Sequence, residues 1–357
     1  MKAKKILFGL ALCAVTSMVF TSCDPQVDEI KDVTIGTGVY VLNSGKFQKN
    51  NASITYYDFT TGFASGDIFL DKNQRGLGDT GEDGLKYGSK LYITVYNSNI
   101  LEVVNAKTGM SIKSIAITKP RSITAANGKV YVVQYTGQVT QLDTTTLELG
   151  TSVTVGANPD ASVISNNKLF VANTGGMAAE YDSTISVIDL VQFKELKKIK
   201  VNLNPGDIQA DNSGDVYVIS NGNYGLRTPY VAPKFQRIEA GTDKVTDINL
   251  IAKGFDIAGD KAYLYTFDYD SNWQATNKKI AVYDVKNEKL INENIVNTDI
   301  IKTPYCIDVD PLTSDIYLGV TDYVNNGKMY CLKNDGTLKL SFMTGVNPCK
   351  TIFVYNK

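Results

Sequence analysis

Pro120-Arg121-Ser122-Ile123, the pair Asn127-Gly128 and Val130-Tyr131-Val132-Val133 make up the stretch whose reading decides the fold. A proline opens a segment that reaches a β-branched residue, Asn-Gly supplies a tight turn, and an apolar run follows. Together they describe a two-stranded hairpin. The aromatic half recurs as Val39-Tyr40-Val41-Leu42, Leu91-Tyr92-Ile93, Leu169-Phe170-Val171, Val216-Tyr217-Val218-Ile219, Ala262-Tyr263-Leu264 and Ile316-Tyr317-Leu318. With the copy at Val130 that makes seven, spaced by 39 to 54 residues. Strand-rich repeats of this period are propeller blades.

The neighbouring elements repeat as well. Pro205-Gly206-Asp207-Ile208 and Pro304-Tyr305-Cys306-Ile307 precede their aromatic strands, as Pro120 to Ile123 does. A third, alternating strand follows, as in Ile54-Thr55-Tyr56-Tyr57-Asp58 or Ile185-Ser186-Val187-Ile188-Asp189. A turn such as Lys107-Thr108-Gly109 then leads to a fourth, for example Ser114-Ile115-Ala116-Ile117. The strand at Val39 lacks a preceding partner, and Pro348-Cys349-Lys350-Thr351-Ile352-Phe353-Val354 is a spare one at the other end. The expectation is an all-β, seven-bladed β-propeller with four-stranded blades, a single domain over 38–357, its ring closed by the C-terminal strand so that no edge stays open. No further helix is expected after the first twenty-odd residues.

Those first residues read as a targeting segment over 1–22. Lys2, Lys4 and Lys5 precede the uncharged run Ile6 to Phe20, which is short for a membrane span. Phe20-Thr21-Ser22-Cys23 resembles the lipobox of bacterial lipoproteins, although Phe20 departs from the usual aliphatic residue. That resemblance implies a lipidated Cys23 and attachment to a membrane through the N-terminal lipid. Residues 23–37, with Asp24, Asp28, Glu29 and Asp32, read as an acidic flexible tether, similar to the surface-export signal of Bacteroidetes lipoproteins. The expected location is the outer membrane, facing the cell surface.

The chain has 36 Lys and Arg against 37 Asp and Glu, and removal of the three leader lysines leaves 33. That balance argues against a nucleic-acid partner, which needs a concentrated basic face. There is no histidine, which excludes His-based triads, His general bases and His-rich zinc sites. Cys306, Cys331 and Cys349 lie on apolar strand patterns and read as buried thiols.

In a four-stranded blade the 1–2 and 3–4 turns share one face, and the 2–3 and 4–1 connections share the other. The second set is long and rich in aromatic and amide residues, which marks it as the binding face. The candidate ligand-binding residues are Arg75, Tyr96, Asn97, Tyr135, Asn173, Asn221, Tyr224, Arg227, Tyr230, Phe267, Asp268, Tyr269, Trp273, Asp322 and Tyr323. Rigid aromatics supply contact area at low entropic cost, and amides supply direction. Asp268, Asp270 and Asn272 alternate as calcium ligands can, but the Gly and terminal Glu of a calcium loop are missing, so no metal is assigned. Asp207, Asp256 and Asp308 recur on the inner strands, where they could converge on the channel or tie adjacent blades together.

Leu169-Phe170-Val171-Ala172-Asn173, Ile185 to Asp189 and Gly156-Ala157-Asn158-Pro159 resemble the repeat of the YVTN-type β-propellers. The chain is similar over its length to surface lipoproteins of Bacteroidetes in that group, some of which bind cobalamin and accompany TonB-dependent transporters. The resemblance implies a monomeric, non-enzymatic binding domain without a cofactor, whose ligand is a corrinoid and whose partner is such a transporter. Fold does not fix function. A surface-layer or adhesive propeller binding glycan or protein remains an alternative, as does a propeller lactonase or lyase.

Overall fold

The computed structural model describes residues 36–176, 178–297 and 301–355. The expected leader, Cys23 and the tether up to residue 35 lie outside the described residues.

Among the described residues the strands form seven antiparallel sheets. Blade 1 consists of Pro348–Val354, Gly38–Asn43 and Ser53–Asp58, from the inside outward. Blades 2 to 7 follow in chain order, with inner strands Gly81–Tyr87, Pro120–Ala126, Pro159–Ser165, Pro205–Ala210, Gly254–Ala258 and Thr303–Val309. Each of these six has three further strands, and every sequence-read aromatic run is a second strand. Each inner strand touches those of both neighbouring blades, and blade 7 meets blade 1. Pro348–Val354 pairs with Gly38–Asn43, Tyr40 lying opposite Ile352, so the C-terminal strand closes the ring as expected.

The burial gradient explains the composition of the strands. Second strands are covered on both faces by adjacent blades, and all six residues of Gly38–Asn43 and of Ile316–Thr321 are buried. β-branched and aromatic side chains suit that double-sided position. Each Val, Leu or Ile buried there contributes about 1.5–3 kcal/mol. Outer strands such as Lys194–Lys200 are mostly exposed and polar. The apolar core is therefore distributed over the blade interfaces, and each consecutive pair has its own cluster. The closing pair is no exception, with Val39 and Val41 packed against Tyr317, Met329 and Phe342.

Two features depart from the sequence reading. Blade 1 has three strands, and its fourth is reduced to a bridge between Tyr57 and Ala64. Side chains cover the remaining edge: Tyr56 N–H donates to Ser65 Oγ and Ile54 N–H to Asp67 Oδ1. A short helix, Ile68–Asn73, follows where none was expected. Its N-cap Asp67 accepts from Leu70 N–H, and Ile68 and Phe69 are buried. A run of six residues is too short to announce itself by periodicity.

Candidate functional site

The inner strands surround an axial cavity of about 280 Å³. A β-bulge lies near the start of most of them, as between Gly81 and Gly84, Pro120 and Ile123, and Pro159 and Ser162. A bulge re-aims the side chains beside it. In these three blades the residue after the opening Gly or Pro lines the cavity: Glu82, Arg121 and Asp160. Arg121 Nη1 donates to Glu82 Oε1 at 2.6 Å, and Nε donates to Asp160 Oδ1 at 2.5 Å. Burial is the main force on Glu82, and it pushes the carboxyl up to about 7, against the pull of Arg121.

A lower tier of carboxylates ties blades together. Asp83 accepts from Ile123 N–H, Asp207 from Phe255 N–H, Asp256 from Val309 N–H and Asp308 from Thr351 N–H. Lys350 Nζ also donates to Asp308 at 2.5 Å. Desolvation raises Asp207 to about 6 and Asp256 to about 7. Both roles left open by the sequence are met: Asp207 and Asp308 line the axial cavity, and the hydrogen bonds of Asp207, Asp256 and Asp308 tie adjacent blades together.

Above the cavity, tyrosines from neighbouring blades meet edge to face. Tyr96 and Tyr135, from the connections after the second strands of blades 2 and 3, have centroids 5.9 Å apart at 82°. The Arg121 guanidinium lies 5.4 Å from the first ring and 5.3 Å from the second. Tyr181 and Tyr224, of blades 4 and 5, are 6.2 Å apart at 81°, with Arg227 over Tyr181 at 4.9 Å. In blades 6 and 7, Tyr269 and Tyr323 share a hydroxyl contact of 2.9 Å, and Tyr323 lies edge to face on Tyr305. Tyr265 and Tyr305 line the cavity itself, so the aromatic mouth and the polar hole are continuous.

The loops that carry these rings are built from within. Asn223 is 2% exposed and holds the 221–233 connection together. Its Nδ2 donates to the carbonyls of Arg227 and Pro229, and its Oδ1 accepts from Gly225 N–H and Val231 N–H. Tyr224, Tyr230 and Trp273 stand exposed around the mouth, Trp273 most of all at 79%. Residues 268–278 belong to one of the long 2–3 connections marked by the sequence, and they form the end of a long hairpin. Lys261–Tyr269 and Ala275–Asp284 pair out to Tyr269 opposite Ala275. Asp270 Oδ1 accepts from Asn272 N–H and Gln274 N–H to form the tip, and Asp268 bonds Asn277. Those carboxylates are engaged in the hairpin itself.

Not every sequence candidate reaches the mouth. Arg75 is drawn to the outer part of blade 2, where it pairs with buried Glu102 at 2.7 Å and covers Phe69. Asn173 is wholly buried and bonds Thr184, Ser186 and Gly156 N–H, so it fastens blade 4. Phe267 is buried beneath Tyr269 and acts as support. Asn97 bonds Asp79 and accepts from Lys119, and Asn221 reaches the Asn204 carbonyl. Asp322 caps its own turn: the Asn325 side-chain amide donates to it, as do the Asn325 and Val324 N–H groups, and these bonds, the side-chain one foremost, hold its carboxyl below the usual range. Sequence reading missed Glu82, Arg121, Asp160, Tyr181 and Tyr305. For the first three the signal was present: they share one repeat position, 39 residues apart each time.

Solved structures share this architecture at low identity. A quinonprotein alcohol dehydrogenase-like protein from Bacteroides thetaiotaomicron VPI-5482 is 15% identical over 89% of this chain and 78% of its own, with a TM-score of 0.62. Hydrazine synthase of Kuenenia stuttgartiensis is 15% identical over 70% and 76%, with a TM-score of 0.58. Apo AztD from Citrobacter koseri is 12% identical over 89% and 97%, with a TM-score of 0.57. At these identities the likeness is one of fold. No curated protein matches the chain. Residues 37–334 match the model of DUF5074, a domain of unknown function, and the chain belongs to that family.

Proposed function

We propose that this protein binds a small ligand on the face of the 2–3 connections, and that the ligand is cobalamin or a related corrinoid. The observation that carries the reading is the set of tyrosine pairs Tyr96–Tyr135, Tyr181–Tyr224 and Tyr305–Tyr323 on the face of the 2–3 connections, the first joined to the polar cavity through Arg121 and the third through Tyr305. A broad planar ligand with amide groups on its rim suits such a face in chemistry, with aromatic area at the edge and hydrogen-bonding groups at the centre. The lipobox resemblance at Cys23 supports an outer-membrane, surface-exposed location, and from there transfer to a TonB-dependent transporter. Binding is favoured over turnover because Asp207, Asp256 and Asp308 are engaged with backbone N–H groups of the next blade.

The test is calorimetric titration of the chain beginning after Cys23 with cyanocobalamin. Saturable one-to-one binding that is weakened by Trp273→Ala or Tyr230→Ala is the expected result. Absence of heat, with no change in thermal midpoint, would remove the corrinoid reading.

A further inference from the structure

We propose that Arg121 is the positioning residue of the mouth, locking Tyr96 and Tyr135 into one fixed wall while its own polar atoms stay engaged below. The proposal rests on the reading of this face as a binding face. Three observations lead to it. First, Arg121 joins three consecutive blades at one level, from blade 3 to Glu82 of blade 2 and Asp160 of blade 4. The carboxylates take the edges of the guanidinium, and a forked planar group gripped at its edges leaves its faces for aromatic rings. Second, both rings use it: the guanidinium lies 5.4 Å from the Tyr96 centroid and 5.3 Å from that of Tyr135. Lys119 sits over Tyr96 at 4.6 Å and bonds Asn97, adding a second cation to the same wall.

Third, the arrangement is not the general device that joins the blades. That device is an inner-strand aspartate accepting a next-blade N–H, and it recurs at Asp83, Asp207, Asp256 and Asp308. Among the described residues a second arginine, Arg237, is held between Asp215 and Glu288, but by the 1–2 and 3–4 turns of the opposite face. The set on the inner strands is Glu82, Arg121 and Asp160, with the Tyr96–Tyr135 pair against its guanidinium. The Tyr181–Tyr224 pair has its arginine, Arg227, on the exposed rim, where no carboxylate among the described residues pairs with it. Two similar tyrosine pairs therefore differ in how firmly they are held. The wall over blades 2 and 3 is preset, which lowers the ordering cost when ligand arrives.

The experiment labels the tyrosine rings with carbon-13 in the full propeller chain and follows them by NMR, with Tyr96 and Tyr135 assigned by single Phe substitutions. Arg121→Lys keeps a positive charge for Glu82 and Asp160 but loses the planar fork. The expected result is that the Tyr96 and Tyr135 signals move and exchange-broaden in Arg121→Lys, while those of Tyr181 and Tyr224 stay in place. Cyanocobalamin affinity should fall roughly tenfold in the same variant. Unmoved Tyr96 and Tyr135 signals would overturn the proposal, as would equal movement of all four, which signals general loosening. If cyanocobalamin binds neither protein, the corrinoid reading fails, and the ring signals of the unliganded protein still decide the role of Arg121. Arg121→Gln is the harsher companion; if it fails to fold, the lysine variant carries the test.

Discussion

Asn223 shows how one side chain can shape a binding surface without meeting ligand. All four of its hydrogen bonds go to backbone groups of its own loop, so Tyr224, Arg227 and Tyr230 are presented on a frame built from within. Asn223→Ala leaves two N–H groups and two carbonyls of the loop without their partner and should open the loop by about 2 kcal/mol. Limited proteolysis should then cut within residues 224–230 while the thermal midpoint of the ring stays near that of the parent. Asp308 works between blades: it accepts from Thr351 N–H and holds Lys350. Asp308→Ala should cost about 3 kcal/mol in urea unfolding, and Asp308→Asn, which keeps an acceptor, clearly less. The recurrence of Asp207, Asp256 and Asp308 was legible in the sequence because an aspartate stands next to the isoleucine in each of those three inner strands. Arg121 escaped notice because its meaning depends on a bulge and on rings contributed by two other segments, neither of which periodicity reports.

At the scale of elements, the 268–278 segment is the instructive one. Asp, Asn, Ser and Gln at Asp268 to Gln274 read as loop, yet their ladder continues to Tyr269 and Ala275, and Asp270 closes a compact tip. Polar composition hid a hairpin whose strands are anchored far below in blade 6. Trp273 sits at that tip with φ +59 and is 79% exposed. A bulky residue in the left-handed region costs on the order of 1 kcal/mol with no burial to offset it, which is the pattern of a residue retained for contact. Trp273→Gly should leave stability equal or raise it, and should weaken cyanocobalamin binding; a lower thermal midpoint together with unchanged affinity would show the Trp to be structural. The missing fourth strand of blade 1 was equally hard to foresee, because Ser65 and Asp67 replace ladder bonds with side-chain ones.

At the scale of the whole molecule, the ring concentrates carboxylates around its axis, and this sets its response to pH. Glu82 at about 7, Asp256 at about 7 and Asp207 at about 6 lie above their ordinary values, chiefly through burial. The folded protein therefore retains protons that the unfolded chain releases, and the stabilisation is complete below the unfolded pKa values and lost as pH rises through the folded ones. The thermal midpoint should be higher near pH 5.5 than near pH 8, and the double variant Glu82→Gln, Asp256→Asn should flatten that slope. The seven-part repeat and the closure by Pro348–Val354 were readable because every blade reuses one strand pattern. The mouth was readable only as a face, since its tyrosine pairs join residues as distant as Tyr96 and Tyr135 or Tyr269 and Tyr323. Hydrogen exchange with and without saturating cyanocobalamin tests most directly whether ligand binds on this face. Slowed exchange is expected in residues 221–233, 268–278 and 322–327, with the turns of the opposite face unchanged; protection confined to those opposite turns, or none anywhere, would contradict a binding role for this face.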